Sequence, residues 1–262
     1  MKGIVVTGSY HWGFSIRIPK TSAGGASYPV PPISTLLGAL SRGYCDHAVS
    51  SKRSCTEEFI NNVARKDLFW ITLGLDEPLL MPYSDMMRES RIPYKQSKYK
   101  KLNEIGQWFG VSSFGKVYGP CSRFEIFLVV KDNAELWTKL AWQIPSMGSK
   151  ESIVSVYSVI VDDLKEVNED KFETNAYFPS KCLTSRLEGL EELSMPVENN
   201  YELSSKSVEA KRFIHALVPR NLGYGGYVKI NKNNINQECV IYKIKDYYII
   251  MDRDGIWSSK LS

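Results

Sequence analysis

The chain has no sequence feature of a membrane span, a disulfide scaffold or a zinc ribbon. No apolar run reaches the roughly eighteen residues that a membrane-spanning helix needs, and the first residues indicate a strand rather than a signal peptide. The five cysteines are odd in number, scattered and without a CxxC pair, so we expect no disulfide framework and a location in the reducing cytoplasm. Cys45, His47 and Cys55 lack an apparent fourth ligand, and we expect no bound metal.

Three common catalytic motifs are also absent: GxSxG, HExxH and GxxxxGK[ST]. Their absence excludes a hydrolase elbow, a zincin and a P-loop. A metal-independent ribonuclease would need a general base near the RNA 2′-hydroxyl and a cation that stabilises the transition state. Of His11, His47 and His215, His11 shares the polar face of the first strand with Arg17, and Lys150 is a candidate neighbour. The alternative for His11 is an exposed or hydrogen-bonded imidazole without a catalytic role.

Positive charge is concentrated in one segment, residues 82–121. This segment holds seven cations and three carboxylates, an excess that equals the net charge of +4 for the whole chain. Aromatic residues are interleaved with the cations, and aromatic rings offer stacking faces for unpaired bases while cations follow phosphates. The pattern favours a polyanion at this place, the alternative being a solvated loop. Because the segment is long for a loop, we expect a projecting hairpin or a partly mobile segment.

Residues 27–45, SYPVPPISTLLGALSRGYC, predict a helix that begins after a proline-rich entry. Apolar residues at helical spacing form one stripe, which predicts a buried face. A second stripe runs through Ser34, Gly38 and Arg42 and is small and open, with one cation at its end. It is compatible with a close helix–sheet contact or with an anion near the helix N-terminus.

The order of predicted elements is strand, helix, strand, strand, helix, strand. Strands are predicted at 2–7, continuing by alternation through 10–18, and at 68–75, 123–130 and 153–161, with the second helix capped by Asp132. This order is typical of ferredoxin-like folds. Short apolar runs between turn residues follow from residue 170. We therefore predict an α+β protein with a ferredoxin-like domain over 1–165, a hairpin insertion at 82–121, and a small β-rich C-terminal domain over 170–262.

A glycine loop, residues 146–152, joins the second helix to the last strand of this unit. Gly148 permits backbone shapes that are closed to other residues, and its neighbours supply N–H groups, serine hydroxyls and the Lys150 ammonium. Together they are able to cradle a phosphate. The alternative is an ordinary helix-to-strand turn.

Two of these stretches carry a resemblance to a known family. YPVPPISTLLGAL resembles the proline-rich entry and first helix of the CRISPR-associated Cas-five family, and MGSKESIVSV resembles its glycine loop leading into the last strand. The combination is most similar to the type I-A branch. The resemblance is sharp over 1–45 and 145–161, looser over the basic segment, and weak after residue 170.

The resemblance implies a subunit of Cascade, the RNA-guided surveillance complex of antiviral CRISPR defence. Such subunits have a ferredoxin-like (RAMP) domain with a thumb hairpin, here 82–121, and a small C-terminal β domain. They hold the 5′ handle of the crRNA, cap the backbone filament, and neighbour the repeating backbone subunit and the large subunit. The family member of type I-C cuts pre-crRNA, whereas type I-A uses a separate endonuclease.

We therefore expect a non-catalytic crRNA-binding subunit without cofactor, membrane or small-molecule substrate. The alternatives are a metal-independent endoribonuclease that processes pre-crRNA and a scaffold that binds only protein. Cations are expected to contact phosphates, which positions RNA without reading its sequence, and Trp108 and Phe109 to stack on bases. The residues expected to bind RNA are Arg17, Ser34, Arg42, Arg88, Arg91, Tyr94, Lys95, Lys98, Lys100, Lys101, Trp108, Phe109, Lys116, Ser146, Gly148, Ser149 and Lys150.

Overall fold

A computed structural model of the chain describes residues 1–18, 26–45, 52–75, 81–90, 109–185, 187, 190–197, 210–216 and 226–258. The helices are α1 (Ile33–Cys45), α2 (Lys52–Phe59), α3 (Arg65–Asp67) and α4 (Ala134–Trp142), with a π-helical turn at Ile60–Ala64. The strands are β1 (Lys2–Tyr10), β2 (Gly13–Phe14), β3 (Leu68–Leu75), β4 (Met81–Ser90), β5 (Phe109–Tyr118), β6 (Arg123–Val130), β7 (Val154–Asp163), β8 (Lys165–Glu166), β9 (Lys171–Thr174), β10 (Phe178–Pro179), β11 (Leu190–Pro196), β12 (Ala210–Ala216), β13 (Val228–Asn231), β14 (Cys239–Ile244) and β15 (Tyr247–Asp252).

A four-stranded antiparallel sheet with the order β3-β6-β1-β7 forms the centre of the protein. Helices α1 and α4 pack near one face, while β14 and β15 approach the other, where the rings of Phe127 and Tyr247 lie 5.3 Å apart. Strands that are covered on both faces need apolar side chains at nearly every position. This explains the continuous apolar runs of β3 and β6, whose bounds agree with the predicted 68–75 and 123–130.

Helix α1 begins directly after the proline-rich entry, as predicted. The amide of Thr35 donates to the carbonyl of Pro32 at 2.8 Å, and the apolar stripe with Leu36, Leu37 and Leu40 is buried. The predicted cap of α4 is wrong by one residue: Asn133, not Asp132, accepts from the amide of Leu136 at 3.2 Å. The amide of Asp132 instead donates to the carboxylate of Asp67 at 2.8 Å, so a contact with α3 holds this residue outside the helix.

Strands β4 and β5 pair as a hairpin within the basic segment, with Met81 opposite Tyr118 and Ser90 opposite Phe109. Strand β2 pairs with the base of β5, so the sheet order is β2-β5-β4. The predicted strand over 10–18 is therefore wrong. Strand β1 ends at Tyr10, and the next paired residues, Gly13 and Phe14, pair with the hairpin strand β5. Gly13, at a φ of +131°, forms this crossing.

The residues after 165 that the structure describes contain short strands and 3₁₀ turns, which agrees with the predicted β-rich character. Part of it packs along β3: the amide of Tyr177 donates to the carbonyl of Leu73 at 3.1 Å, and the Trp257 indole donates to the carbonyl of Leu68 at 2.9 Å. The main apolar core contains residues from before and after residue 165, for example Phe127 from the first part and Tyr177 and Phe213 from the second. The domain boundary near residue 165 stays a prediction.

Disulfides form between Cys45 and Cys55 and between Cys182 and Cys239, and Cys121 is a free, exposed thiol. The expectation of no disulfides is therefore wrong. Fifty-seven positions separate Cys182 from Cys239, so the fold has to bring them together. The Asn236 amide donates to the Cys182 carbonyl at 2.8 Å beside the disulfide. Of the considered metal ligands, Cys45 and Cys55 are consumed by their disulfide, and His47 lies outside the described residues.

Loss of the Cys182–Cys239 bond should lower the free energy of unfolding. A crosslink across 57 residues restricts the unfolded chain, and its removal in Cys182→Ser/Cys239→Ser should cost about 4 kcal/mol in the chain-entropy model. Urea unfolding without reductant measures the effect. Cys121→Ser is the matched control and should keep the parental midpoint, because this thiol is free and exposed. Equal midpoints for the double variant and the control would contradict the prediction.

Candidate functional site

The glycine loop between α4 and β7 has the backbone shape that the sequence indicates. Gly148 has a φ of +126°, which side chains rarely allow. A Cβ at this position would lie 2.9 Å from the Oγ of Ser152 and 3.1 Å from the side chain of Ile16. The buried Met147 anchors the loop, and its amide donates to the Ser152 carbonyl at 2.9 Å. The loop therefore needs glycine at 148 both for conformation and for space.

The loop is hydrogen-bonded to the segment that follows β2. The Ser149 amide donates to the Ser15 carbonyl at 2.9 Å, and the Ser15 amide donates to the Ser152 hydroxyl at 3.1 Å. The Ser149 and Ser152 hydroxyls lie 2.9 Å apart. One expectation is corrected here: the Ser149 amide is engaged within the protein, so it is no open donor for a phosphate. Lys150 is exposed at the tip, and Ser146 is half-buried in a bridge with Ile153.

The base of the hairpin is joined to the same loop. The Trp12 indole N–H donates to the Glu151 carbonyl, the Trp12 carbonyl accepts from the Gly119 amide at 2.7 Å, and the Ser15 hydroxyl donates to the Gly115 carbonyl at 2.8 Å. We call residues 12–15, 115–119 and 146–152 the loop–hairpin junction. It was not predicted, because it depends on backbone contacts between three segments that are distant in sequence.

Charges at the junction are balanced within it. The Lys116 ammonium lies 2.5 Å from a carboxylate oxygen of Asp85, and this hydrogen bond raises the pKa of Lys116. The same ammonium lies 5.5 Å from the centre of the Trp12 ring, a cation–π contact. The pKa of the Glu151 carboxyl is lowered, first by its own backbone amide, then by the Ser149 hydroxyl, and further by the charges of Lys116 and Lys150.

The residues that were predicted on α1 lie in different settings. Ser34 is 5% exposed, and the residues around the helix N-terminus, including Pro32 and Ile33, are buried. An RNA phosphate has no access to Ser34, so its assignment is wrong. Arg42 is half-exposed in the last turn, beside Gly43, which packs against Gln143 at the end of α4. Arg17 is exposed, and its backbone forms an isolated antiparallel β-bridge with that of Ser27.

Most of the predicted hairpin residues fall beyond what the structure describes. Arg88 and Phe109 lie in strands β4 and β5, and the structure describes no more of them than that. The residues outside the described ranges are Arg91, Tyr94, Lys95, Lys98, Lys100, Lys101 and Trp108. Their expected contacts with RNA stay predictions.

The two histidines in the described ranges, His11 and His215, have separate neighbours. The Nε2 of the exposed His11 lies 2.8 Å from the Oγ of Ser155 at the start of β7. His215 is buried on β12, with its Nε2 3.5 Å from a Glu191 carboxylate oxygen, and His47 lies outside the described ranges. Within the ranges given above, no group of three His, Cys, Asp or Glu side chains is arranged to hold a metal ion. No helix in those ranges is long and apolar enough to cross a membrane.

Comparison with known proteins identifies the family. No family model matches the chain. The CRISPR-associated protein Cas5 2 of Saccharolobus solfataricus is 50% identical over 266 residues, which cover 99% of this chain and 100% of that protein. The chain belongs to the Cas5 family. A second protein of that organism, the CRISPR system aCascade subunit Cas5 1, is 30% identical over 198 residues, covering 73% of this chain and 78% of that protein.

A solved structure has a similar fold. A crystal structure of a CRISPR protein from Archaeoglobus fulgidus superposes with a TM-score of 0.55 at 19% identity, covering 96% of this chain and 99% of that one. The 50% identical relative confirms the resemblance to the Cas-five family, and the solved structure supports a mixed fold of few helices and many antiparallel strands. In this Cas5 chain, the loop–hairpin junction is the candidate functional site.

A β-branched residue in the glycine loop should destabilise the protein. Gly148→Val forces a side chain into a left-handed backbone position against Ser152 and Ile16, which should cost about 1 kcal/mol or more. Thermal or urea unfolding measures the loss. Lys150→Ala is the control at an exposed neighbour and should change stability by less than about 0.5 kcal/mol. A parental midpoint for Gly148→Val would show that the loop relaxes without cost.

Proposed function

We propose that this Cas5 chain is a non-catalytic crRNA-binding subunit of a type I-A Cascade complex. It holds the 5′ handle of the crRNA and caps the backbone filament. The observation that carries the proposal is the loop–hairpin junction, in which residues 12–15 are hydrogen-bonded both to a glycine loop with an exposed lysine and to the base of the most basic segment of the chain. The name of one relative, an aCascade subunit, supports membership of such a complex.

The fold supports the same assignment. The sheet order β3-β6-β1-β7, with α1 and α4 in the connections between its strands, supports assignment of this unit as a ferredoxin-like (RAMP) domain. The β4–β5 hairpin leaves this unit between its second and third strands and is assigned as the thumb. The neighbours of the whole subunit in the complex are the repeating backbone subunit and the large subunit. The expected cytoplasmic location belongs to the same proposal.

Lys150 and the cations of the hairpin supply the phosphate contacts. Lys150 is exposed on the loop and offers its ammonium to a phosphate. Lys116 contributes little net charge, because Asp85 neutralises it. Lysines 98, 100 and 101 stand closely spaced with no carboxylate between them. This division assigns long-range attraction to these three lysines and local positioning to Lys150.

Charge reversal in the hairpin should weaken RNA binding broadly across sequences. In Lys98→Glu/Lys100→Glu/Lys101→Glu, each lost phosphate contact should flatten the slope of log K against log salt by about 0.7 for single-stranded RNA. Titration of repeat-derived RNA at several salt concentrations measures both quantities. Reversal of three exposed lysines elsewhere, Lys139, Lys171 and Lys229, gives the same net charge and should keep the parental slope.

The comparison separates three outcomes. Equal slopes for the hairpin variant and its control would mean that the hairpin lysines make no phosphate contacts. Salt-independent or absent RNA binding by the parent would favour the protein-only scaffold. The proposed subunit is supported if the slope is flatter for the hairpin variant only, while the control keeps the parental slope.

The non-catalytic part of the proposal has a direct test against the endoribonuclease alternative. His11 is exposed beside the junction with its Nε2 hydrogen-bonded to Ser155, which is the observation that keeps an imidazole general base in consideration. Repeat RNA incubated with the protein in EDTA should stay intact. One defined cut that His11→Ala abolishes would overturn the proposal in favour of a processing enzyme.

A further inference from the structure

One face of the β4–β5 hairpin carries three exposed aromatic rings. Residues directly opposite each other in an antiparallel ladder share a face, as do residues two apart on one strand. The register places Tyr83 opposite Lys116, with Phe114 and Tyr118 two positions to either side of Lys116. Tyr83, Phe114 and Tyr118 are 41%, 40% and 46% exposed. We call these three residues, with Lys116 and Trp12, the hairpin platform.

The rings of the platform hold one another in place. Tyr83 and Tyr118 lie 6.4 Å apart at an interplanar angle of 80°, an edge-to-face pair, so each ring is oriented by the other. Lys116 is fixed between Asp85 and the face of Trp12. A surface of oriented rings loses little conformational entropy when a ligand binds.

The platform is aromatic but electrically balanced. Its one cation, Lys116, is paired with Asp85 at 2.5 Å, so attraction to a polyanion is weak here. Exposed ring faces without net charge are suited to flat, aromatic ligand groups rather than to phosphates. Its recognition chemistry therefore differs from that of Lys150 and of the hairpin lysines.

We propose that the hairpin platform stacks unpaired bases of a single-stranded RNA whose phosphates contact the neighbouring glycine loop. The inference rests on the proposed function and adds to it a second, uncharged mode of contact at named residues. Base–aromatic stacking is tolerant of sequence and stabilises single strands through their bases.

The position of the platform supports this occupant. Trp12 belongs both to the platform, through Lys116, and to the glycine loop, through its indole N–H and the Glu151 carbonyl. The platform and Lys150 are thus on connected segments, and one strand of RNA offers both chemistries in alternation, a base and a phosphate in each nucleotide. A protein segment would match the rings but would leave Lys150 and the basic hairpin without a counterpart.

The test uses the full-length protein and two RNA probes. One probe is single-stranded, repeat-derived RNA, and the other is a strand of equal length with abasic residues, which keeps the phosphates and lacks the bases. The variants are Tyr83→Leu, Phe114→Leu and Tyr118→Leu, which keep apolar bulk but remove the ring. Met86→Leu is the matched control, since Met86 is 75% exposed on the opposite face of the same hairpin. Thermal melts check that each variant folds.

Each Leu variant should bind the base-containing RNA about tenfold more weakly at an unchanged salt slope, since stacking involves no counterion release. Tyr83→Phe and Tyr118→Phe should bind like the parent because they keep the ring. Affinity for the abasic strand should be equal for the parent, the variants and the Met86 control.

Two results would overturn the platform while leaving the proposed function standing: parental affinity of the Leu variants for the base-containing RNA, or an equal loss on both probes. Leu variants that bind RNA normally but lose a protein neighbour on purification would assign the platform to a protein partner instead. A parent without salt-dependent RNA binding would overturn the proposed function together with the platform. The salt slope of the parent thus distinguishes the two failures.

Discussion

The crossing of the chain at Gly13 is the constraint on which the candidate site depends. Here β2 runs along β5, and a Cβ would overlap the carbonyl oxygen of Val117. The φ of +131° turns the chain out of the line of β1. Trp12, immediately before this glycine, and Ser15, two residues after it, then contact the hairpin on one side and the glycine loop on the other. One permissive residue thereby helps to connect three segments that are distant in sequence, residues 12–15, 115–119 and 146–152.

The central sheet explains why the site lies where it does. Strands β1, β3 and β6 are buried at nearly every position, and the outer edge of β3 accepts hydrogen bonds from the Tyr177 and Ile256 amides and the Trp257 indole. Glu125, fully buried on β6, accepts a hydrogen bond from the Asn175 carboxamide at 2.9 Å. This bond adds a polar contact between the central sheet and the C-terminal part of the chain. The hairpin and the glycine loop lie away from this covered region, at the end of the sheet where β1 stops and β7 starts.

Local patterns predicted what local physics determines. Apolar runs that are buried on both faces gave the bounds of β3 and β6, and the proline entry with its apolar stripe gave α1. Glycine at 148 indicated only that a backbone shape closed to other residues is permitted, and the structure shows such a shape, with a φ of +126°. The errors arose where a distant segment decides: the Cys182–Cys239 pair, the burial of Ser34, and the Asp67 contact that moves the helix cap to Asn133. The role of Trp12 was hidden because an alternating strand pattern accounted for it equally well.

The two chemistries of the site follow from where its carboxylates stand. Asp85 is diagonal to Lys116 across the hairpin and neutralises it, so the rings around this pair present apolar faces with little electrostatic field. Farther along the hairpin, the sequence carries lysines with few carboxylates, and their charges act over about 8–10 Å at physiological salt. Glu151 stays ionised beside Lys150, yet its carbonyl is the atom that accepts the Trp12 indole. In the proposed function, attraction of a polyanion and orientation of its bases fall to different residues, and Trp12 contacts both surfaces.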